Sequence, residues 1–248
     1  QPFSFATIDS EYKPGIDAVR IDGYLGMSTQ ITGVLAYAGD WEKESLIGIA
    51  HANTTIGWTD MNLFYGMVKG DHVIGTGVAS SIGPVGVHAD VTVTVPEDDD
   101  VFVRTVAGAM WKPFERSTLT GECYVQTVGA KNVDGYLDFA QSDRYARGEL
   151  WVMGRYYTSL AWSQEFTPLV AGNLSAITNL TDTSTMLIPA VNVSVSDEVQ
   201  LAVGGYIGLG EPPEDLSLTD ILLGEEIALQ SEFGLLPATV FIQLKAYF

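Results

Sequence analysis

The sequence predicts an all-β fold, a closed antiparallel transmembrane β-barrel of about 14 strands. Three observations carry that prediction. Apolar residues make up 46% of the chain and mean hydropathy is +0.17, yet no uninterrupted apolar run is long enough for a membrane helix. The apolar residues fall instead into segments of about ten residues that alternate with polar ones, the length a tilted membrane strand needs. Within those segments one face carries charges of both signs, and the other carries aromatics near the segment ends.

Successive side chains of a strand point to opposite faces, so each segment divides into two rows. Segments 17–26, 28–38, 58–68 and 101–111 alternate well, whereas 46–55 and 71–80 have small residues on both faces. Segment 84–95 is the cleanest: Val85, Val87, Ala89, Val91, Val93 and Val95 oppose Gly86, His88, Asp90, Thr92 and Thr94. Segment 116–127 sets Leu119, Gly121, Cys123 and Val125 against Arg116, Thr118, Thr120, Glu122, Tyr124 and Gln126. Segment 155–166 opposes Tyr156, Leu160, Trp162 and Phe166 to Arg155, Ser159, Ser163 and Glu165. Segments 169–180, 185–196 and 198–209 follow the same rule, and 239–248 is the thirteenth. Residues 3–9, with Phe3, Phe5 and Thr7 on one face, supply a weakly alternating fourteenth; otherwise the barrel is larger and its N-terminal strands are absent from this chain. The competing reading is a soluble β-sandwich, which would bury the Val85–Val95 face between two sheets.

A single domain over 1–248 is expected. With 12 basic against 31 acidic residues the net charge is −19, which disfavours nucleic acid, and there is no Walker, Rossmann, zinc-finger or His-Glu-x-x-His motif. Cys123 is the only cysteine and falls on the apolar face, so neither a disulfide nor a reactive thiol is expected. No charged-then-apolar leader precedes Gln1, so a secretion signal, if one existed, has been removed.

The polar rows are expected to line the lumen through Asp60, Asn62, His88, Asp90, Arg104, Arg116, Glu122, Arg155, Glu165 and Lys245, with acids and bases cross-paired. With Arg20 and Asp22 added, the lumen charges nearly cancel. The aromatics Tyr24, Phe64, Tyr124, Tyr157, Tyr206, Phe241 and Tyr247 share these rows. On the apolar rows Trp111, Trp162 and Phe248 lie toward one end, and Tyr37, Tyr65 and Tyr156 toward the other, as two interfacial girdles require.

Thr239 to Phe248 is the most specific stretch: Val240, Ile242, Leu244, Ala246 and Phe248 alternate with Thr239, Phe241, Gln243, Lys245 and Tyr247. It resembles the C-terminal strand of bacterial outer-membrane proteins, and the remaining pattern is porin-like. The resemblance implies a Gram-negative outer-membrane location, surrounding lipid, and Phe248 as the signal read by the barrel-assembly machinery. It also implies orientation. Counting back from a periplasmic Phe248, connections 112–115, 167–168 and 196–198 are short periplasmic turns, while 39–45, 96–100, 128–154 and 210–236 are longer extracellular loops. In the last of these Ile221–Phe233 reads as another strand or residues 218–223 as a short helix; since a strand would send Phe248 to the wrong side, the segment is kept in the loop.

The acidic excess falls in those outer loops: Asp40, Glu42, Glu44, Asp71, Glu97, Asp98, Asp99, Asp100, Asp134, Asp138, Asp143, Glu211, Glu214, Asp215, Asp220, Glu225, Glu226 and Glu232. It serves solubility, or forms a mouth that concentrates cations. Glu97, Asp98, Asp99 and Asp100 are a candidate Ca²⁺ or Mg²⁺ site without EF-hand spacing; no other cofactor is expected. His88 and Asp90 share a face, but no nucleophile motif accompanies them, so no enzyme is expected. Three functions follow: a channel for small solutes or ions with an acidic mouth, a transporter of apolar or sugar ligands, and a structural barrel serving a surface complex. Gly48, Ala50 and Ala52 with Gly75, Gly77 and Ala79 read as a smooth outer patch, suited to a homo-oligomer or partner protein, or as glycines that relieve crowding and permit strand bending.

Overall fold

Alternation of polarity over about ten residues is realised as one antiparallel sheet. The computed structural model describes residues 17–37, 45–213 and 229–247. Its strands are β1 (Asp17–Leu25), β2 (Thr29–Tyr37), β3 (Leu46–Ile56), β4 (Thr59–Val68), β5 (Asp71–Ile82), β6 (Val85–Val95), β7 (Phe102–Phe114), β8 (Ser117–Gln126), β9 (Tyr156–Thr167), β10 (Val170–Asn179), β11 (Thr185–Ser196), β12 (Val199–Leu209) and β13 (Thr239–Ala246). All thirteen coincide with sequence-predicted segments to within a few residues.

The strands are hydrogen-bonded in sequence order from β1 to β13. Where the sequence led us to expect a closed ring, the described sheet is open, with β1 and β13 as its edges. The expected closing strand at 3–9, the helix at 218–223 and Phe248 lie outside the described residues.

Turn chemistry sets the register. Lys69 (φ 53°) and Gly70 (φ 85°) give the β4–β5 hairpin two consecutive left-handed residues, as a type I′ turn requires. Gly83 (φ 60°) ahead of Pro84 does the same at the first central position between β5 and β6. Connections after odd-numbered strands are tight turns; those after β2, β6, β8 and β12 are longer, and the β8–β9 connection carries α1 (Tyr136–Ala140) and α2 (Asp143–Ala146).

Two units make up the described structure. One comprises β1 to β6, the 102–110 part of β7 and the 124–126 end of β8; the other comprises the remainder of β7 and β8 together with 129–213 and 229–247. In both, the apolar rows are the exposed ones. In the first unit Ile21 is 71% exposed, Leu63 57% and Val95 38%; in the second Phe166 is 55% and Ile242 72%. Val91 and Val95 are exposed on a single sheet, contrary to a sandwich. Buried apolar side chains are few. Most of them (Tyr136, Phe139, Leu150, Tyr157, Met186 and Phe233) gather in the second unit, where the connections meet the strand ends.

Candidate functional site

Register brings the polar row of the first unit together. Thr55 pairs with Asp60, Asp60 with Ala79 and Ala79 with His88; the next same-face line runs Asn53, Asn62, Gly77, Asp90. These side chains line a groove of about 460 Å³ that also takes in His51. Thr55 Oγ1 donates to Asp60 Oδ1 at 2.6 Å. Toward the β1 edge, Asp22 accepts from Arg20 Nε at 2.9 Å, Gln30 Nε2 at 2.9 Å and Thr32 Oγ1 at 2.6 Å, so Arg20 is committed to its own strand neighbour.

One sequence expectation reverses here. Gly75, Gly77 and Ala79 lie on the polar face, not on the apolar face with Gly48, Ala50 and Ala52. The reason is steric: a Cβ on Gly77 would meet Asn62 Nδ2 at 2.5 Å and overlap Asp90 Oδ1, and one on Gly75 would overlap the Phe64 ring. The glycines leave room for long polar-face side chains, so the two-strand outer patch does not exist.

The other expected lumen residues are scattered. Arg104 packs over the Phe102 ring at 5.6 Å. Glu122 lies on the face of β8 opposite Cys123, which is exposed on the apolar side. Glu165 pairs with Ala171 beside an irregularity, and Lys245 with Gln200. Two arginines are off the strands altogether. Arg116 occupies the β7–β8 turn, and Arg155 precedes β9, its Nε donating to the Gly129 carbonyl at 2.6 Å. Polar residues at turns and connection ends find backbone partners locally, which alternation alone does not reveal. The run Glu97–Asp100 is exposed, and among the described residues no group of three or more His, Cys, Asp or Glu is gathered for a metal.

A second polar cluster was not foreseen. Glu232, expected in an exposed acidic loop, is 4% exposed, and Asp71 is buried at the start of β5. Glu232 Oε1 accepts from the Met153 amide at 2.7 Å, and Oε2 accepts from Asn179 Nδ2 at 2.6 Å and from the Tyr157 hydroxyl. Asn179 Nδ2 also reaches Tyr136 Oη at 2.7 Å; Tyr136 donates to Asp182 Oδ2 at 2.9 Å, which accepts from the Glu232 amide at 2.7 Å. Burial pushes the Glu232 carboxyl above the usual carboxylate range despite its donors, with Asp182 adding repulsion, and burial likewise raises the Tyr136 hydroxyl. The knot ties residues 231–235 to the ends of β9 and β10. Its five polar side chains are spread from position 136 to 232, and only the Asn179-x-x-Asp182 turn is a local sign of it.

Gly208 makes the closest approach to this segment: a Cβ there would overlap the Phe233 carbonyl oxygen and meet Leu236 O at 3.0 Å. Both obstacles are backbone, so Gly208→Ala is expected to displace the 233–235 turn. Faster amide exchange at 231–236 with β12 protection retained is the expected result; unchanged exchange refutes it.

No family model and no curated protein matches the sequence. Among solved structures, the outer membrane channel DcaP of Acinetobacter baumannii is similar, at 11% identity and a TM-score of 0.44, with 77% of each chain covered.

Proposed function

We propose that the chain is an outer-membrane β-barrel that acts as a porin-like channel for small solutes or ions. One observation carries this reading: large apolar side chains are exposed on one face of most strands, and the polar, mixed-charge side chains occupy the other. In water that polarity is inverted, since large contiguous apolar faces are normally covered. In a bilayer it is satisfied, with lipid against one face and an aqueous lumen against the other.

The open edges bear on closure. Strand direction alternates along the order, so β1 and β13 run the same way and an additional strand antiparallel to both is needed for an all-antiparallel ring. The segment at 3–9, immediately before β1, is our candidate for it. Glu97 to Asp100, Asp134, Asp138, Asp143 and Glu211 are exposed in connections that all follow even-numbered strands. In the proposed barrel those connections share one end, where their charge would form an acidic mouth that raises the local concentration of cations.

The test is reconstitution. Refolded into detergent, the protein is expected to migrate faster unboiled than boiled on a gel, and in planar bilayers to give discrete conductance steps with a reversal potential favouring cations. A folded, inserted protein that never conducts rejects the channel; one that stays soluble without detergent rejects the membrane barrel.

A further inference from the structure

The groove between β3 and β6 has more definition than a wet wall requires. Its roughly 460 Å³ falls within the range of small-molecule sites. Two small residues shape it. Gly77 and Ala79 lie between the polar residues of β4 and those of β6, so Asn62 and Asp90 extend across Gly77.

Its charge is one-sided. Asp60 and Asp90 both line it, and neither lysine nor arginine does. Asp90 has no ion-pair partner among the described residues, and Arg20, on the neighbouring part of the face, is already bonded to Asp22. The two carboxylates stand two strand spacings and one same-face step apart, about 12 Å between Cα atoms. Asn62, beside Asp60 on β4, and its cross-strand partner Asn53 on β3 also line the groove and add amide oxygens. Such an array of acceptors around uncompensated carboxylates suits a ligand that brings both positive charge and several N–H donors. A carboxylate or phosphate solute would meet two like charges at close range.

We infer that this groove is a binding subsite for small organic cations bearing ammonium groups, held between Asp60 and Asp90. As a solute subsite it rests on the channel reading; as a binding site it rests on the groove alone.

Three four-carbon probes separate charge from size: putrescine, 1,4-butanediol and succinate. Calorimetric titration of the detergent-folded chain measures binding independently of conduction. Putrescine is expected to bind while the other two do not. Asp60→Asn with Asp90→Asn should weaken it at least about tenfold, or roughly 1.4 kcal/mol. Gly77→Ala keeps both acids but its Cβ would overlap Asp90 Oδ1 and meet Asn62 Nδ2, so it should weaken binding too by displacing those rotatable side-chain ends. Both variants are first checked for wild-type heat-modifiable mobility. No putrescine binding by the wild type, equal binding of butanediol, preference for succinate, or undiminished binding in the folded double variant overturns the inference. Conductance steps without putrescine binding leave the channel standing and remove the subsite; binding without conductance does the reverse.

Discussion

Glu232→Ala is expected to free the segment around residues 231–236 from the strand ends at a cost of about 3–5 kcal/mol of local stability. The substitution removes the acceptor of three donors at once: the Tyr157 hydroxyl and Asn179 Nδ2 in a buried setting, and the part-buried Met153 amide. A buried donor left without a partner costs about 1–3 kcal/mol, and the three are coupled, so the sum is less than additive. The loss should be local: amides near 153–157, 179–184 and 231–236 should exchange faster, while β2 to β5 keep their protection. Unchanged exchange at the Met153 amide would falsify the role assigned to the carboxylate.

The same residue sets a pH dependence. Burial, with repulsion from Asp182, raises the carboxyl of Glu232 above its ordinary value. A carboxyl raised in the folded state binds its proton more tightly there than in the open state. Its contribution is therefore fully present below the ordinary glutamate range and is lost as pH rises through the raised value. Protection at 231–236 should accordingly fall as pH rises above the ordinary glutamate range. Glu232→Gln should abolish that slope while costing about 1–3 kcal/mol, because an amide keeps one acceptor for Met153 but turns N–H groups toward Asn179. An equal slope in the glutamine variant would assign the titration to a group other than Glu232.

The strands were legible because a half-buried strand has a period of two that composition cannot blur; β6 and β11 read almost without ambiguity. β5 was legible as a strand but not as a pair of faces. Small residues on both rows hide the parity, although Ile74 and Val78 on the apolar side were the sign to follow. Of the candidate site, Asp60, Asn62, His88 and Asp90 were readable because polar-row residues of neighbouring hairpins meet whenever the register is regular. Arg116 and Arg155 each stand one residue before β8 and β9, because alternation in a sequence continues past the point where a strand ends. The Glu232 knot was invisible for a different reason. Its members come from three connections and two strand ends, and an acid in a loop carries no local mark of burial.

Val191→Arg and Asn192→Arg, adjacent in β11, should have opposite consequences, and the pair decides whether the exposed apolar face meets lipid. Val191 sits mid-strand, 42% exposed, between Gly172 and Val203 on the apolar side. Asn192 is exposed on the other side, between Ala171 and Ala202. If the apolar face lies in hydrocarbon, an arginine at 191 carries its charge toward the bilayer centre and costs about 2–4 kcal/mol in a lipid-based unfolding titration. At 192 the same side chain projects into water, and its cost stays within about 0.5 kcal/mol. The arginine at 192 has a second signature: it adds a positive charge to the polar face, so the reversal potential should shift away from cations without loss of insertion. Were the sheet a soluble one with its apolar face in water, neither position would be buried and both variants would sit near zero. Equal unfolding free energies for the two, measured in the same vesicles, would therefore remove the membrane reading, whatever the conductance traces show.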